Sequence, residues 1–294
     1  MVQVQALLKL CVRIGFACAL LLGVTSPAQA AGARHVFIIS FDGGKPSVMQ
    51  ASAMPLFKQM AQQGASTMQA FTVVPSITLV SHTSMLTGVQ PNKHLIDWNE
   101  WSPEKGLVQV PTIFALAKKH GLITGLIAGK DKFKHLNTAN SLDLFAIPAY
   151  AAQEVATTAA EFIRTKKPNL TFIHFADSDG AGHEFGWGSE QQKAAFAAED
   201  SALEQVRKAI TQAGIERDSV IILTADHGGH DKTHGSTRLD DMHIPWVAWG
   251  KGVRPGFVLK QRVNTYDTAA TALWLLGVAI PKEFDGVAVK EAFN

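Results

Sequence analysis

Three short segments of this 294-residue chain gather carboxylates and imidazoles beside glycines. Asp42 precedes Gly43-Gly44. Asp177-Ser178-Asp179-Gly180-Ala181-Gly182-His183 follows an apolar run. Asp226-His227-Gly228-Gly229-His230 leads into Thr233-His234-Gly235. Carboxylates and neutral imidazoles without thiolates suit zinc or manganese. Taken singly, Asp42 reads as a helix cap and the two Asp/His segments as turns. Taken together, they would crowd like charges that a cation must relieve. A nucleophile is available in Pro75-Ser76-Ile77-Thr78-Leu79-Val80-Ser81-His82, which follows a strand-like run and opens a helical one. A hydroxyl at a helix N-terminus meets free N–H groups and the positive end of the dipole, a natural phosphate seat. On a divalent metal such a hydroxyl loses its proton more easily and can attack. Spacing does not choose among Ser76, Thr78 and Ser81; a plain helix cap is the alternative.

These residues need a scaffold that brings distant segments to one place. Val36–Phe41, Leu170–Phe175 and Ser219–Thr224 are short, nearly continuous apolar runs of the kind found in buried parallel strands. Further strands are expected at Met68–Val74, Leu122–Ala128 and Ile244–Trp249. Helices are expected from Pro46 to about Gln63, with Gly64 as stop, and at Pro111–His120, Ala151–Lys167, Ser189–Gly214 and Asp267–Leu276. Strands alternating with helices imply an α/β fold, a mostly parallel central sheet sandwiched by helices. Sites in such sheets lie beyond the carboxyl ends of the strands. Asp42, the 177–183 segment and the 226–235 segment all occupy that position. The glycines there are expected to let the backbone turn sharply.

Composition bounds the rest. Apolar residues make up 47% and charged residues 18%, a globular balance that excludes disordered and collagen-like chains. At the N-terminus, Lys9 and Arg13, then Ile14–Val24, then Ser26-Pro27-Ala28-Gln29-Ala30 read as a signal peptide cleaved after Ala30. The apolar run is short for a membrane span, so an uncleaved anchor is the lesser alternative. A periplasmic or secreted protein is expected, with residues 1–30 removed and 31–294 forming one catalytic domain. Both cysteines, Cys11 and Cys18, fall in the cleaved segment, so stability must come from the core rather than disulfides. Removing Lys9 and Arg13 leaves 25 basic residues against 25 acidic ones. A near-neutral chain without a basic stripe argues against a nucleic-acid polymer or an anionic membrane as partner.

The complete set of motifs resembles the alkaline phosphatase superfamily, and most closely its nucleotide pyrophosphatase/phosphodiesterase (type I phosphodiesterase) branch. Pro75-Ser76-Ile77-Thr78, His82 and Thr87-Gly88 match in register a family stretch Pro-Thr-x-Thr-Phe-Pro-Asn-His-x-x-x-x-Thr-Gly, placing Thr78 on the nucleophile. Leu79-Val80-Ser81 departs from the family Phe-Pro-Asn. Lys93-His94-Leu95-Ile96-Asp97-Trp98-Asn99 resembles Ser-His-Gly-Ile-x-x-Asn, with Leu95 for glycine and Asn99 on the phosphoryl-binding asparagine. Asp179 with His183, Asp226-His227-Gly228 and His234-Gly235 match the metal motifs, and the likeness runs from about residue 34 to 286. It implies an alkaline-phosphatase-like fold and two divalent ions, usually zinc. One would be held by Asp179, His183 and His234, the other by Asp42, Asp226, His227 and Thr78. Thr78 would form a phosphothreonyl intermediate, with Asn99 and the Leu79 N–H holding a non-bridging oxygen.

Family register favours His234 over His230 as the ligand. Asp177, His174 and His243 read as supporting residues. Lys130-Asp131-Lys132 reads first as a solvated charged turn, although it follows a strand and resembles a lysine pair that handles an anionic substrate group in another superfamily member. Trp98, Trp101 and Trp187 flank the presumed site loops and could stack on a base or aryl leaving group, or simply pack. The expected activity is hydrolysis of a small-molecule phosphodiester or nucleotide pyrophosphate. A phosphomonoesterase or phosphonate hydrolase with the same centre is the alternative, and a non-catalytic zinc-binding protein is the alternative of another class. A sulfatase is disfavoured because no Cys/Ser-x-Pro-x-Arg motif is present.

Overall fold

The computed structural model describes residues 32–294. The expected signal peptide and both cysteines lie outside the described residues. Eight strands form one sheet: β1 (His35–Phe41), β2 (Ala65–Phe71), β3 (Thr124–Ala128), β4 (Leu144–Ala146), β5 (Leu170–Phe175), β6 (Ser219–Thr224), β7 (His243–Gly250) and β8 (Phe257–Val258). Among the described residues ten α-helices flank them: α1 (Pro46–Ala51), α2 (Pro55–Gln63), α3 (Thr78–Thr87), α4 (Pro91–His94), α5 (Ile113–Lys119), α6 (Ala152–Lys166), α7 (Asp177–Phe185), α8 (Glu190–Gln212), α9 (Leu239–Met242) and α10 (Asp267–Leu275). The sheet order is β4-β3-β5-β1-β6-β7-β2-β8. Only β7 runs against the rest, pairing antiparallel with both β6 and β2. The mostly parallel α/β sheet expected from the sequence is therefore present.

The two faces of the central strands are both covered. Val36 and Ile38 of β1 face one apolar cluster with Phe172, Val220 and Ile222, over which α3, α5 and α10 lie. Phe37, Ile39 and Phe41 face the other, with Ile173, Phe175, Ile221 and Leu223, covered by α2, α6 and α8. Alternating side chains enter two different cores, so a strand buried on both faces must be apolar throughout. Each fully buried Phe or Ile contributes about 1.5–3 kcal/mol, and truncating Phe37 to alanine is expected to cost about 3–5 kcal/mol.

Several boundaries differ from expectation for identifiable reasons. The single helix expected from Pro46 to Gln63 is two, because the residue before Pro55 is driven out of helical geometry and Met54 sits at φ −115°, ψ 67°. Strand β2 lies three residues earlier than expected, at Ala65–Phe71, with Ala65 and Ser66 also pairing β8. The 177–185 segment is a helix, not a glycine turn. A Cβ on Gly180 would come within 2.5 Å of the Tyr150 hydroxyl, and one on Gly182 within 2.8 Å of Gln192 Nε2. Those glycines serve close packing rather than sharp turning. The helix is also capped from the core: Glu199 Oε1 on α8 accepts from the Ser178 N–H at 3.0 Å.

Candidate metal centre

Strands β5, β1 and β6 are neighbours, so their carboxyl ends deliver Asp179, Asp42 and Asp226 to one edge. On α7, Asp179 and His183 are four residues apart and share a face. Helix α3 is drawn in toward this edge by hydroxyl contacts. Ser81 Oγ donates to the Asp226 carbonyl at 2.8 Å and lies 2.7 Å from Thr72 Oγ1. Every residue of α3 is buried, so its polar side chains must find partners inside. Thr83 and Thr87 donate back to the Leu79 and Thr83 carbonyls, and His82 bridges Ser40 Oγ and the Thr78 carbonyl, each at 2.8 Å. Gly88 ends the helix at φ 71°, where a Cβ would strike the Phe284 ring at 2.2 Å.

Thr78 is the first residue of α3. Its Oγ1 lies 3.5 Å from Asp42 Oδ1 and 3.4 Å from His227 Nε2. Of the three hydroxyls left open by spacing, Ser76 donates to the Ser236 carbonyl and Ser81 to that of Asp226, so Thr78 alone faces the cluster.

Two groups of side chains could each hold a cation: Asp179, His183 and His234, and Asp42, Asp179 and His227. Asp226 stands beside the second, its Oδ2 3.2 Å from His227 Nε2. The three imidazoles are oriented alike. His183, His227 and His234 each set Nδ1 against a backbone carbonyl, those of Lys232, Gly228 and Ser76, at 3.0, 2.8 and 2.8 Å. A carbonyl can only accept, so each Nδ1 carries a proton and each Nε2 is turned inward, offering its lone pair to a cation once the ring is neutral. His234 Nε2 and His183 Nε2 face each other at 3.1 Å, an arrangement two lone pairs avoid unless a cation joins them. Asp179 Oδ1 and Asp226 Oδ2 are buried without a hydrogen-bond partner. Converging imidazole nitrogens and orphaned carboxylate oxygens are a donor set that fits divalent metal. Side-chain exposure is 45% at His183 against 6% at His234 and Asp179, so the first group opens to solvent on one side.

The electrostatics show the same crowding. Burial and the Asp42 charge push Asp226 up to about 8. Burial opposes protonation of His227, but the Asp226 and Asp42 carboxylates hold it up at about 9. Burial, then the neighbouring His227, push His234 down to about 4. Burial works against the Asp42 charge, yet Lys130, His174 and His227 hold its carboxyl well below the usual range.

Lys130 corrects the sequence expectation of a solvated turn. Its ammonium reaches inward, 2.6 Å from both Asp42 Oδ2 and Asp179 Oδ2, with 12% of the side chain exposed. Lys132 is also turned in, 3.0 Å from Asn99 Oδ1. Its pKa is lowered by burial and by Lys130. Charge runs usually face solvent, but here the carboxylates at the strand ends outweigh the cost of burial. Asn99 is at the site: its Oδ1 accepts from the Leu79 N–H at 2.9 Å as well as from Lys132, which leaves its NH₂ as the free donor. The Leu79 N–H is therefore engaged by Asn99.

His230 is turned to Asp241 at 2.7 Å and belongs to neither group. His174 donates to Asp42 Oδ2 at 2.8 Å, and Asp177 accepts from the Ala152 N–H. His243 packs its ring edge-on against Phe71. Trp98 is bonded to His135. Trp187 walls the site, donating to the Gly43 carbonyl at 3.0 Å and packing against His183 and His234. Sequence reading missed Glu199. Its Oε1 holds Ser178, its Oε2 is buried without a partner, and burial raises its pKa well above the usual range. A glutamate inside a long amphipathic helix gives no signal of that role. A cleft of about 640 Å³ abuts the centre, lined by Asn99, Trp101, Lys130, Lys132 and Tyr150 among others.

The chain belongs to the type I phosphodiesterase/nucleotide pyrophosphatase family, whose model matches residues 36–125 and 127–269. The structure of murine ectonucleotide pyrophosphatase/phosphodiesterase 5, an inactive variant in complex with AMP, is similar with a TM-score of 0.75 at 16% identity, over 89% of this chain and 100% of that one. That likeness shows the fold, which is the alkaline-phosphatase-like one the motifs implied. A 2,3-bisphosphoglycerate-independent phosphoglycerate mutase of Natronomonas pharaonis is 29% identical over 149 residues, 49% of this chain and 28% of that protein. A phosphopentomutase of Desulfitobacterium hafniense is 31% identical over 189 residues, 64% of this chain and 41% of that protein. The chain thus spans less than half the length of these curated relatives. Among the described residues no helix is long and apolar enough to cross a membrane.

Proposed function

We propose that the chain hydrolyses phosphodiester or nucleotide pyrophosphate bonds in small molecules, in the periplasm or after secretion, as one catalytic domain from residue 31 onward. Thr78 is the nucleophile. Asp179, His183 and His234 would hold one divalent ion, and Asp42, Asp226, His227 and the Thr78 oxygen a second, zinc being the expected metal. The observation that carries this reading is the Thr78 hydroxyl at a helix N-terminus, 3.4 Å from the inward-turned His227 Nε2, beside two further inward Nε2 atoms.

Two divalent ions, when bound, ease loss of the hydroxyl proton and neutralise charge on the attacking and leaving oxygens. The chain supplies the rest. Thr78 Oγ1 forms a bond to phosphorus as the leaving oxygen departs on the opposite side. Water then cleaves the phosphothreonyl ester, restoring the hydroxyl and releasing the phosphoryl group. The Asn99 NH₂ donates to a non-bridging oxygen as charge develops there. The cleft lined by Trp101 and Tyr150 receives the leaving group.

A phosphomonoester or phosphonate substrate is the second reading, favoured by one observation. The Lys132 ammonium beside Asn99 suits a phosphoryl group with more charge than a diester carries. The test is zinc-dependent hydrolysis by the purified protein of bis-p-nitrophenyl phosphate, a nucleotide p-nitrophenyl ester and p-nitrophenyl phosphate, with chelator controls. Diester turnover abolished by chelator is expected. Strong preference for the monoester moves the assignment to the second reading, and inertness toward all three removes the enzyme reading.

A further inference from the structure

The carboxylates of Asp42 and Asp179 each use their two oxygens differently. Asp42 Oδ2 faces Lys130 Nζ at 2.6 Å and His174 Nε2 at 2.8 Å, while Oδ1 faces His227 Nε2 at 3.3 Å and the Thr78 hydroxyl at 3.5 Å. Asp179 Oδ2 also faces Lys130 at 2.6 Å. Its Oδ1 has no hydrogen-bond partner and looks toward His183, His234 and His227 Nε2 at 3.4, 3.7 and 4.0 Å. One ammonium thus spans two carboxylates that come from different strands. Its backbone leaves the end of β3, the neighbour of β5, and is held close there: a Cβ on Gly129 would lie 2.8 Å from the Tyr150 carbonyl oxygen.

We propose that Lys130 is a built-in cation of the centre, a positioning residue that takes Oδ2 of both Asp42 and Asp179 and so reserves Oδ1 of each for metal. This rests on the metal-binding reading above. Two consequences follow from charge and geometry. Each of the two aspartates can meet a metal through one oxygen only, which holds the cations apart at fixed places instead of letting one be chelated by both oxygens of a single carboxylate. The ammonium also offsets one of the three carboxylate charges at the centre. A loaded site therefore keeps a larger positive surplus to seat a phosphoryl anion. Lysine suits this place because its charge is compact, and a guanidinium fork would need more room between the two oxygens.

The test compares Lys130→Met with the wild type, each prepared metal-free and zinc-saturated, by thermal unfolding and zinc content. With the ammonium gone, two buried carboxylates face each other with only His174 and His227 beside them, so the metal-free variant is expected to melt lower by roughly 5 °C or more. Zinc should restore most of that loss. The zinc-induced rise in Tm should then exceed the wild type's, while both bind two zinc ions. Inorganic phosphate should inhibit the loaded variant about tenfold less well, about 1.4 kcal/mol, for the loss of one charge at this range in a partly hydrated site. An ordinary packing role predicts equal losses with and without zinc, and that result overturns the proposal, as does an unchanged metal-free Tm. Should Lys130→Met fail to fold, the double variant Lys130→Met/Asp179→Asn, which also removes the charge it neutralised, is expected to fold. Its failure to do so is equally contrary. A wild type that takes up no zinc removes the metal reading itself, and the wild-type arm shows this independently of the variant.

Discussion

The imidazole of His234 lies flat against that of His227, with ring centroids 3.7 Å apart and planes 11° from parallel. The pair joins the two candidate metal groups, and in the absence of metal its members differ in protonation, His227 held up at about 9 and His234 pushed down to about 4. With both rings turning Nε2 inward, the stack is a strained arrangement of dipoles and charges that divalent ions would resolve. Metal should therefore stabilise the folded chain strongly. Saturation at a thousandfold over Kd is worth about 4 kcal/mol, on the order of 10 °C in Tm for a domain of this size. Calorimetry of zinc-loaded and chelator-dialysed protein measures it, and coincident melting curves would refute a metal centre. Asp226→Asn is expected to shrink that zinc-induced shift, because it removes a proposed ligand, while leaving the metal-free protein near wild-type stability at neutral pH, where burial and Asp42 already favour the uncharged Asp226 carboxyl.

Thr78→Ala separates an enzyme from a zinc-binding protein. The hydroxyl is the only Thr78 group aimed at the cluster, and its loss removes the bond-forming oxygen without touching six of the seven proposed ligands. Turnover of the preferred ester should fall by about 10³-fold or more, with zinc content near that of the wild type. Thr78→Ser should retain part of the rate. If Thr78→Ala keeps more than a tenth of the activity, another group does the chemistry.

The strands that carry the site were legible because both of their faces are buried. Leu170–Phe175 and Ser219–Thr224 end where the apolar runs end, and the residues just beyond them are the ones gathered at the centre. Helix α7 was not legible, because glycine has two uses that a sequence does not distinguish. Gly180 and Gly182 read as turn residues, whereas Tyr150, Gln192 and Trp187 press on them and make them packing residues. Helix α3 buries every residue, so it lacks the one-sided pattern that marks a surface helix. Lys130 was read as solvated because its attraction is to carboxylates about 90 residues before it and 50 after it, positions that only the sheet order brings together.

Asn99 links helix α3 to the lysine-lined cleft. Its Oδ1 accepts from the Leu79 N–H at 2.9 Å and Lys132 Nζ at 3.0 Å, so its amide plane is fixed and its NH₂ direction with it. Asn99→Ala should lower kcat by about 10²-fold, the usual cost of one preorganised donor to a developing oxyanion, and leave zinc content unchanged. Asn99→Asp should do worse, because it sets a carboxylate where an anionic oxygen must sit. Steady-state kinetics on the preferred ester decide this, and a change confined to KM would place Asn99 in ground-state binding alone.

His94 gives the fold a measurable pH signature away from the metal groups. It is buried at 2% exposure. Its Nδ1 accepts from the Ile96 N–H at 3.1 Å, so its proton is on Nε2 and is donated to Ser84 Oγ at 3.0 Å. Burial pushes its pKa down from 6.5 to about 4. The unfolded chain thus binds a proton that the folded chain resists between those two values. The stability contributed by neutral His94 is present above pH 6.5 and is lost as pH falls toward 4, by up to roughly 3 kcal/mol at 1.36 kcal/mol per pKa unit. His94→Gln is neutral at every pH and should flatten that part of the acid limb, while costing stability at pH 7.5 through imperfect replacement of two hydrogen bonds. Urea unfolding of both proteins at steps from pH 7.5 to 4.5 measures the difference. Curves that stay parallel across the window would mean that the imidazole takes up its proton without opening the α3–α4 contact.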